Sequence, residues 1–201
     1  MKLHLGCGSV YLDGYINVDT GSNFHARVAS LRPDLVERWI TTREDYYERQ
    51  GKLNLNRVND NEFPVDVFSD LTELPFPSAS VEEILTVQTL EHLTMRQVEQ
   101  ALSNWHRLLI PGGQLEIIVP DIERMIQLFL EADSLRARQE TARLIFGTRK
   151  SGLFYHHYGY TPEGLSSLLR KCSFNVQGWA PSSINSYPSF DIVATKGLHY
   201  L

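Results

Sequence analysis

The chain is 201 residues long, with 42% apolar residues and a formal net charge of −5. This length fits one domain, or one domain carrying an insertion. The acidic balance argues against a nucleic-acid or anionic-membrane surface. No apolar run approaches the roughly 18 residues of a membrane span, and Cys7 and Cys172 are too few for a disulfide framework or a Cys-rich zinc site. A soluble, cytoplasmic protein without nucleic-acid or membrane partners is expected, its oligomeric state open.

Leu3 and Leu5 mark a short strand that runs into Gly6-Cys7-Gly8, and Tyr15 to Val18 mark a second that ends on Asp19. Residues 20–62 form a long connection in which acidic and basic residues are equal in number. Leu35, Val36, Trp39, Ile40, Tyr46 and Tyr47 recur there at helical spacing behind Pro33. A connection of this length reads as a partly helical lid or interaction surface inserted between the second and third strands. Val65 to Phe68 is the next strand, ending in Ser69-Asp70-Leu71, and Val81 to Val87 the one after it. Thr94 with Gln97 is a capping box for a helix whose buried face is Val98, Ala101, Leu102, Trp105, Leu108 and Leu109.

Pro111-Gly112-Gly113 stops that helix, and Gln114 to Val119 is a strand. A helical region follows from about Ile122 to Phe146, then a loop rich in aromatics and histidines, Phe154 to Tyr160. Thr161-Pro162-Glu163 opens a helix with cap, N1 proline and first-turn acid. Phe174 to Trp179 and Phe190 to Lys196 are strands with no helix between them, which suits an antiparallel hairpin. The whole reads as α/β: a doubly wound, mostly parallel sheet with an antiparallel C-terminal edge, in a single domain spanning 1–201.

Small residues after the first strand let a ligand approach the backbone, and a carboxylate ending the next can accept two ribose hydroxyls. A nucleoside-containing cofactor over these strand ends is therefore expected. The ordered set Leu3–Gly8, Ile16–Asp19, Asp70–Pro77, Leu90-Glu91-His92-Leu93 and Leu108–Gly113 resembles the class I S-adenosylmethionine-dependent methyltransferases, in particular those acting on small molecules. The resemblance implies S-adenosyl-L-methionine as cofactor. It places Gly6, Cys7 and Gly8 under the methionine portion, Asp19 at the ribose, Asp70 and Leu71 at the adenine, and Gln88 near the methionine end.

One departure is the spacing. Gly8 and Asp19 are eleven residues apart, where the family has a full helix and about twenty. Either the second strand is reached by an abbreviated loop or Asp19 is not the ribose ligand; the strand character of Tyr15 to Val18 favours the loop. Cys7 reads as a small buried residue.

For the acceptor, His92, His156 and His157 are the candidate bases, and Tyr155, Tyr158 and Tyr160 offer stacking faces and hydroxyls. A packed aromatic loop with one satisfied histidine is the plainer alternative. Adjacent histidines in an extended stretch point to opposite faces, so His156 and His157 make a poor metal pair, and no metal is expected. The expected reaction is O- or N-methylation of a small polar metabolite or glycan intermediate. Two alternatives stand beside it: a non-catalytic S-adenosylmethionine-binding partner module, and an aminopropyl-type transferase on the same scaffold.

Overall fold

The computed structural model describes residues 1–20, 26–43, 45, 62–147, 155–184 and 187–197. The sheet is built from β1 (Lys2–Leu5), β3 (Ile16–Asp19), β7 (Val67–Phe68), β8 (Val81–Val87), β9 (Leu109–Pro120), β10 (Phe174–Ile184) and β11 (Tyr187–Lys196), in the order β10-β11-β9-β8-β1-β3-β7. The pairs β7/β3, β3/β1, β1/β8 and β8/β9 are parallel. β11 runs antiparallel to β9, and β10 antiparallel to β11. This is the expected doubly wound sheet with its antiparallel edge.

Alternation along the strands divides the sheet into two faces. The cross-strand row Ile16, Leu3, Ile84, Leu115 and Ala194 is wholly apolar. It packs under α2 (Met95–Leu108) and α5 (Pro162–Lys171), whose Val98, Ala101, Leu102, Trp105, Leu165 and Leu169 are buried in the same cluster. Both helices start as the sequence reads. Thr94 and Gln97 close the capping box, and the Thr161 hydroxyl accepts the Gly164 N–H. The adjacent row, one residue on, reads Asn17, His4, Leu85, Glu116 and Val193 and faces the other way.

That second face is covered by small pieces. The path from β1 to β3 contains no helix: the two-residue strand β2 (Tyr11–Leu12) leaves the main sheet to pair with β5 (Ile40–Thr41), and Gly14 turns the chain back at φ +76°. The abbreviated connection is thus what the structure contains. β4 (Ala26–Val28) pairs with β6 (Phe63–Val65), and α1 (Pro33–Trp39) buries Leu35 and Trp39 beside Cys7 and Val65. The described part of the 20–62 segment is therefore docked on the body, while Tyr46 and Tyr47 lie outside the described residues.

Several boundaries differ from the sequence reading. The single strand at 65–68 belongs to two sheets, β6 and β7, hinged at Asp66, whose carboxylate accepts the Asn17 N–H (2.8 Å) and the Tyr11 hydroxyl (2.8 Å). The region 122–146 is two helices, α3 (Ile122–Glu131) and α4 (Leu135–Phe146), because Ser134 caps a second start. β9 begins at Leu109, which is already extended and pairs with Val81, while Pro111 keeps Ile110 out of the helical region. The last two strands extend to a tighter hairpin because Ala180–Ile184 pair directly with Asp191–Tyr187. Among the described residues no helix is long and apolar enough to cross a membrane.

Candidate active site

β1, β3, β7 and β8 end at one edge of the sheet, and β1 and β8 flank the point where the strand order reverses. Connections leave such a point in opposite directions and open a crevice. Gly6 (φ +67°) and Gly8 (φ +52°) take left-handed conformations there. A Cβ on Gly6 would fall inside the Thr89 side chain, so glycine is what lets the loop after β1 close on the end of β8. The Gly6 and Cys7 N–H groups donate to the Val18 carbonyl at 2.9 and 3.1 Å.

Asp19 completes this loop. Its Oδ2 accepts the Gly8 N–H and its Oδ1 the Thr20 N–H, both at 2.6 Å. Burial raises its pKa, and the two backbone donors oppose that rise. The Thr20 side chain donates to the same carboxylate, which with about four lone-pair sites keeps capacity for a further hydroxyl, so loop closure and hydroxyl binding are compatible. Cys7 is buried, and burial pushes its thiol well up.

At the end of β7, Asp70 Oδ1 accepts both the N–H and the hydroxyl of Thr72 at 2.8 Å, which shapes the turn. Leu71 is buried, and its carbonyl accepts the Trp105 indole N–H at 2.8 Å. At the end of β8, Gln88 is held at φ +51°, and its Nε2 donates to the Ser189 hydroxyl at 3.1 Å. A left-handed non-glycine residue costs of order 1–3 kcal/mol and persists where the surroundings impose it. Here the imposing contacts are that bond and the backbone bond from Gln88 N–H to the Ile118 carbonyl (2.8 Å).

Just beyond lies a second group. The 3₁₀ turn Leu90–His92 carries Glu91, only 1% exposed, with neither carboxylate oxygen hydrogen-bonded among the described residues. Burial pushes this carboxyl up to about 8. The Glu91 carbonyl accepts the His157 N–H at 2.7 Å, which ties the aromatic loop to the turn. His92 and His156 meet edge to face with centroids 5.0 Å apart. His92 Nδ1 lies 3.0 Å from the Tyr155 carbonyl, and His156 Nδ1 lies 3.2 Å from that of Ile145. A carbonyl only accepts, so both Nδ1 atoms carry the proton and both Nε2 atoms present a lone pair. Burial lowers both pKa values, that of His156 to about 4 with help from His92.

Gly6, Gly8, Asp19 and Gln88 therefore gather at the strand-order reversal, with Asp70 and Leu71 at the neighbouring strand end. Of the three histidines, His92 and His156 come together and the His157 side chain is exposed. Tyr155 and Tyr158 are exposed, whereas Tyr160 is buried in the apolar core. Its hydroxyl is unpartnered among the described residues, and burial with the nearby Glu91 raises its pKa. Phe154 lies outside the described residues. Sequence reasoning passed over Glu91 and Thr89; an acid between Leu90 and Leu93 next to a histidine was the available signal for the first. A cavity of about 640 Å³, lined by Lys2, Tyr15, Arg43, Glu83 and Glu116 among others, opens on the polar face of the sheet and shares no residue with these groups.

A family model described as a methyltransferase domain matches residues 3–117. No curated protein matches the chain in sequence. Among solved structures, an S-adenosylmethionine-dependent methyltransferase of Methanosarcina mazei is similar at 15% identity, covering 98% of this chain and 92% of that one with a TM-score of 0.54. One from Thermotoga maritima is similar at 16% identity over 97% and 81%, TM-score 0.54. The 1,6-didemethyltoxoflavin-N1-methyltransferase of Burkholderia thailandensis, with 1,6-didemethyltoxoflavin and S-adenosylhomocysteine bound, is similar at 15% identity over 98% and 70%, TM-score 0.54. At these identities the likeness is one of fold.

Proposed function

The chain belongs to the methyltransferase-domain family, as an S-adenosylmethionine-dependent enzyme, and from that premise we propose that it methylates an oxygen or nitrogen of a small polar metabolite or glycan intermediate. The observation that carries this reading is the convergence of Gly6, Gly8, Asp19 and Gln88 where the strand order reverses between β1 and β8. In this reading the methionine portion lies over Gly6-Cys7-Gly8, Asp19 accepts the ribose hydroxyls, Asp70 and Leu71 meet the adenine, and Gln88 borders the methionine end. The Burkholderia enzyme's bound S-adenosylhomocysteine and 1,6-didemethyltoxoflavin support a small-molecule acceptor. The domain is read as 1–201, and the described part of the 20–62 segment packs beside Cys7 of the glycine loop.

The cofactor supplies an activated methyl on a sulfonium. What the chain contributes is alignment, exclusion of water and, for a hydroxyl acceptor, a destination for its proton. Alignment supplies up to about 7–11 kcal/mol of the barrier reduction. The paired imidazoles of His92 and His156, next to Glu91 and one turn from Gln88, handle the acceptor's proton, while Tyr155, Tyr158 and Tyr160 frame the loop that carries it.

Calorimetric titration with S-adenosylmethionine and S-adenosylhomocysteine tests the cofactor assignment. Micromolar binding, about −8 kcal/mol, that weakens at least tenfold in Asp19→Ala is the expected result. No binding by wild-type protein freed of co-purified ligand overturns it. Tight binding without turnover on a broad acceptor panel points instead to a cofactor-binding module.

A further inference from the structure

We propose that Glu91, His92 and His156 form a binding site for one divalent transition-metal ion of the Zn²⁺ type. Three observations converge on it. One carboxylate oxygen and one ring nitrogen from each histidine lie within 4.8 Å of one another. The Glu91 carboxylate is 1% exposed with no partner for either oxygen among the described residues. A carboxylate in that position costs several kcal/mol unless a cation or donor meets it. Finally, each imidazole donates its Nδ1 proton to a backbone carbonyl, from Tyr155 and Ile145, and so keeps its Nε2 lone pair free of a proton. This is the outer-shell arrangement that fixes the tautomer of metal-binding histidines.

The donor set selects the metal. Two imidazoles and one carboxylate suit Zn²⁺, Fe²⁺, Co²⁺ or Ni²⁺ and do not suit Mg²⁺ or Ca²⁺, which prefer oxygen. Ligand bonds of about 2.0–2.2 Å bring donor atoms to about 3–3.5 Å from one another. Neither His92 nor His156 is fully buried, so both side chains have room to close on an ion. Three protein ligands leave at least one position open, as in catalytic rather than structural zinc sites.

The two halves of the site come from different parts of the chain. The turn after β8 supplies Glu91 and His92, and the loop before α5 supplies His156, anchored by the His156 N–H to Phe146 carbonyl bond (3.3 Å) and the His157 N–H to Glu91 carbonyl bond. Thr89, two residues before Glu91, is the side chain that fills the space beside Gly6, so the turn carrying Glu91 and His92 starts at the proposed methyl-donor pocket. With an ion bound, both imidazole lone pairs would be committed to it, and the metal in place of a histidine base would acidify an acceptor hydroxyl, its proton leaving to water. That role rests on the methyl-transfer reading; binding of the ion does not.

The test is titration of the full-length, EDTA-treated protein with Zn²⁺ and separately with Co²⁺, followed by calorimetry and by Co²⁺ d–d absorption. One equivalent bound, with a nitrogen/oxygen-type Co²⁺ spectrum free of thiolate charge-transfer bands, is expected. His156→Ala and Glu91→Gln should each weaken binding at least 100-fold while the circular dichroism spectrum stays that of wild type. Absence of stoichiometric binding by wild-type protein overturns the proposal. So does binding that the folded variants retain, or a spectrum showing a cysteine ligand. Should either variant fail to fold, the stoichiometry and spectrum of wild-type protein decide. S-adenosylmethionine titration on the same samples separates the readings: its loss with the metal retained counts against the cofactor assignment alone, and the reverse against the metal alone.

Discussion

The two faces of the central sheet solve the same burial problem in different ways. Under α2 and α5 the face is apolar, with Leu3, Ile84, Leu115, Trp105 and Leu165 fully buried. On the other side, where no helix joins β1 to β3, buried His4, Asn17 and Glu116 stand among the apolar residues. They are satisfied in networks. Asn17 Oδ1 accepts from the Leu12 N–H (2.8 Å) and pairs with His4 Nδ1 (3.0 Å), and its Nδ2 donates to the Leu12 and Tyr15 carbonyls. Glu116 pairs with Arg43, and Tyr15 donates to Glu83. A long helix brings its own satisfied backbone and an apolar stripe; a ten-residue connection brings bare peptide groups that side chains must meet. The lesson is that a shortened crossover is held by hydrogen-bond specificity where a full one is held by packing.

If that contrast is right, the largest loss comes from the apolar face. Trp105→Ala removes a fully buried indole and its bond to the Leu71 carbonyl. A cost of about 3–5 kcal/mol is expected in denaturant unfolding. A loss under 1 kcal/mol would mean that the face is loosely packed.

Next comes Asn17→Leu, nearly isosteric and more apolar. Packing logic alone makes it neutral. The network makes it cost about 2–3 kcal/mol, because the Leu12 N–H and the Leu12 and Tyr15 carbonyls lose their partner. A stabilised Asn17→Leu protein would break the comparison outright.

The smallest effect is a pH slope. Burial lowers the His4 pKa to about 4, with Arg43 adding to the shift and the Asn17 bond opposing it. Its unfolded value is about 6.5. Folded His4 is neutral while the unfolded chain takes up a proton between these values, so its contribution is whole above pH 6.5 and is lost as pH falls toward 4. The slope is at most about 1.4 kcal/mol per pH unit. Asp191, pushed up by burial and by Glu116 beside it, acts with the opposite sign. The effect is therefore read as the difference between the wild-type and His4→Gln stability curves over pH 4–7. Parallel curves would remove His4 from the network.

Much of this architecture was legible in the chain. The stripe Val98, Ala101, Leu102, Trp105 and Leu108, the caps at Thr94 and Thr161 and the alternation of β8 and β9 are local patterns, set by neighbours within a turn or two. The group at the ends of β1 and β3 was legible for the same reason, since Gly8 and Asp19 are only eleven positions apart. Even the missing crossover helix could be counted from that spacing.

What the chain by itself determined, then, is the order and type of its elements and the residues at the strand ends. The tertiary structure alone decided the split of 63–68 between two sheets, because Asp66 is hinged by Asn17, 49 residues away. It also decided which histidine of an adjacent pair turns inward, and that Glu91 and His92 meet His156 across more than sixty residues. The physical reason is reach. Periodicity and capping act through bonds between near neighbours, whereas a group assembled from two loops depends on sheet register and strand order, which no local pattern encodes.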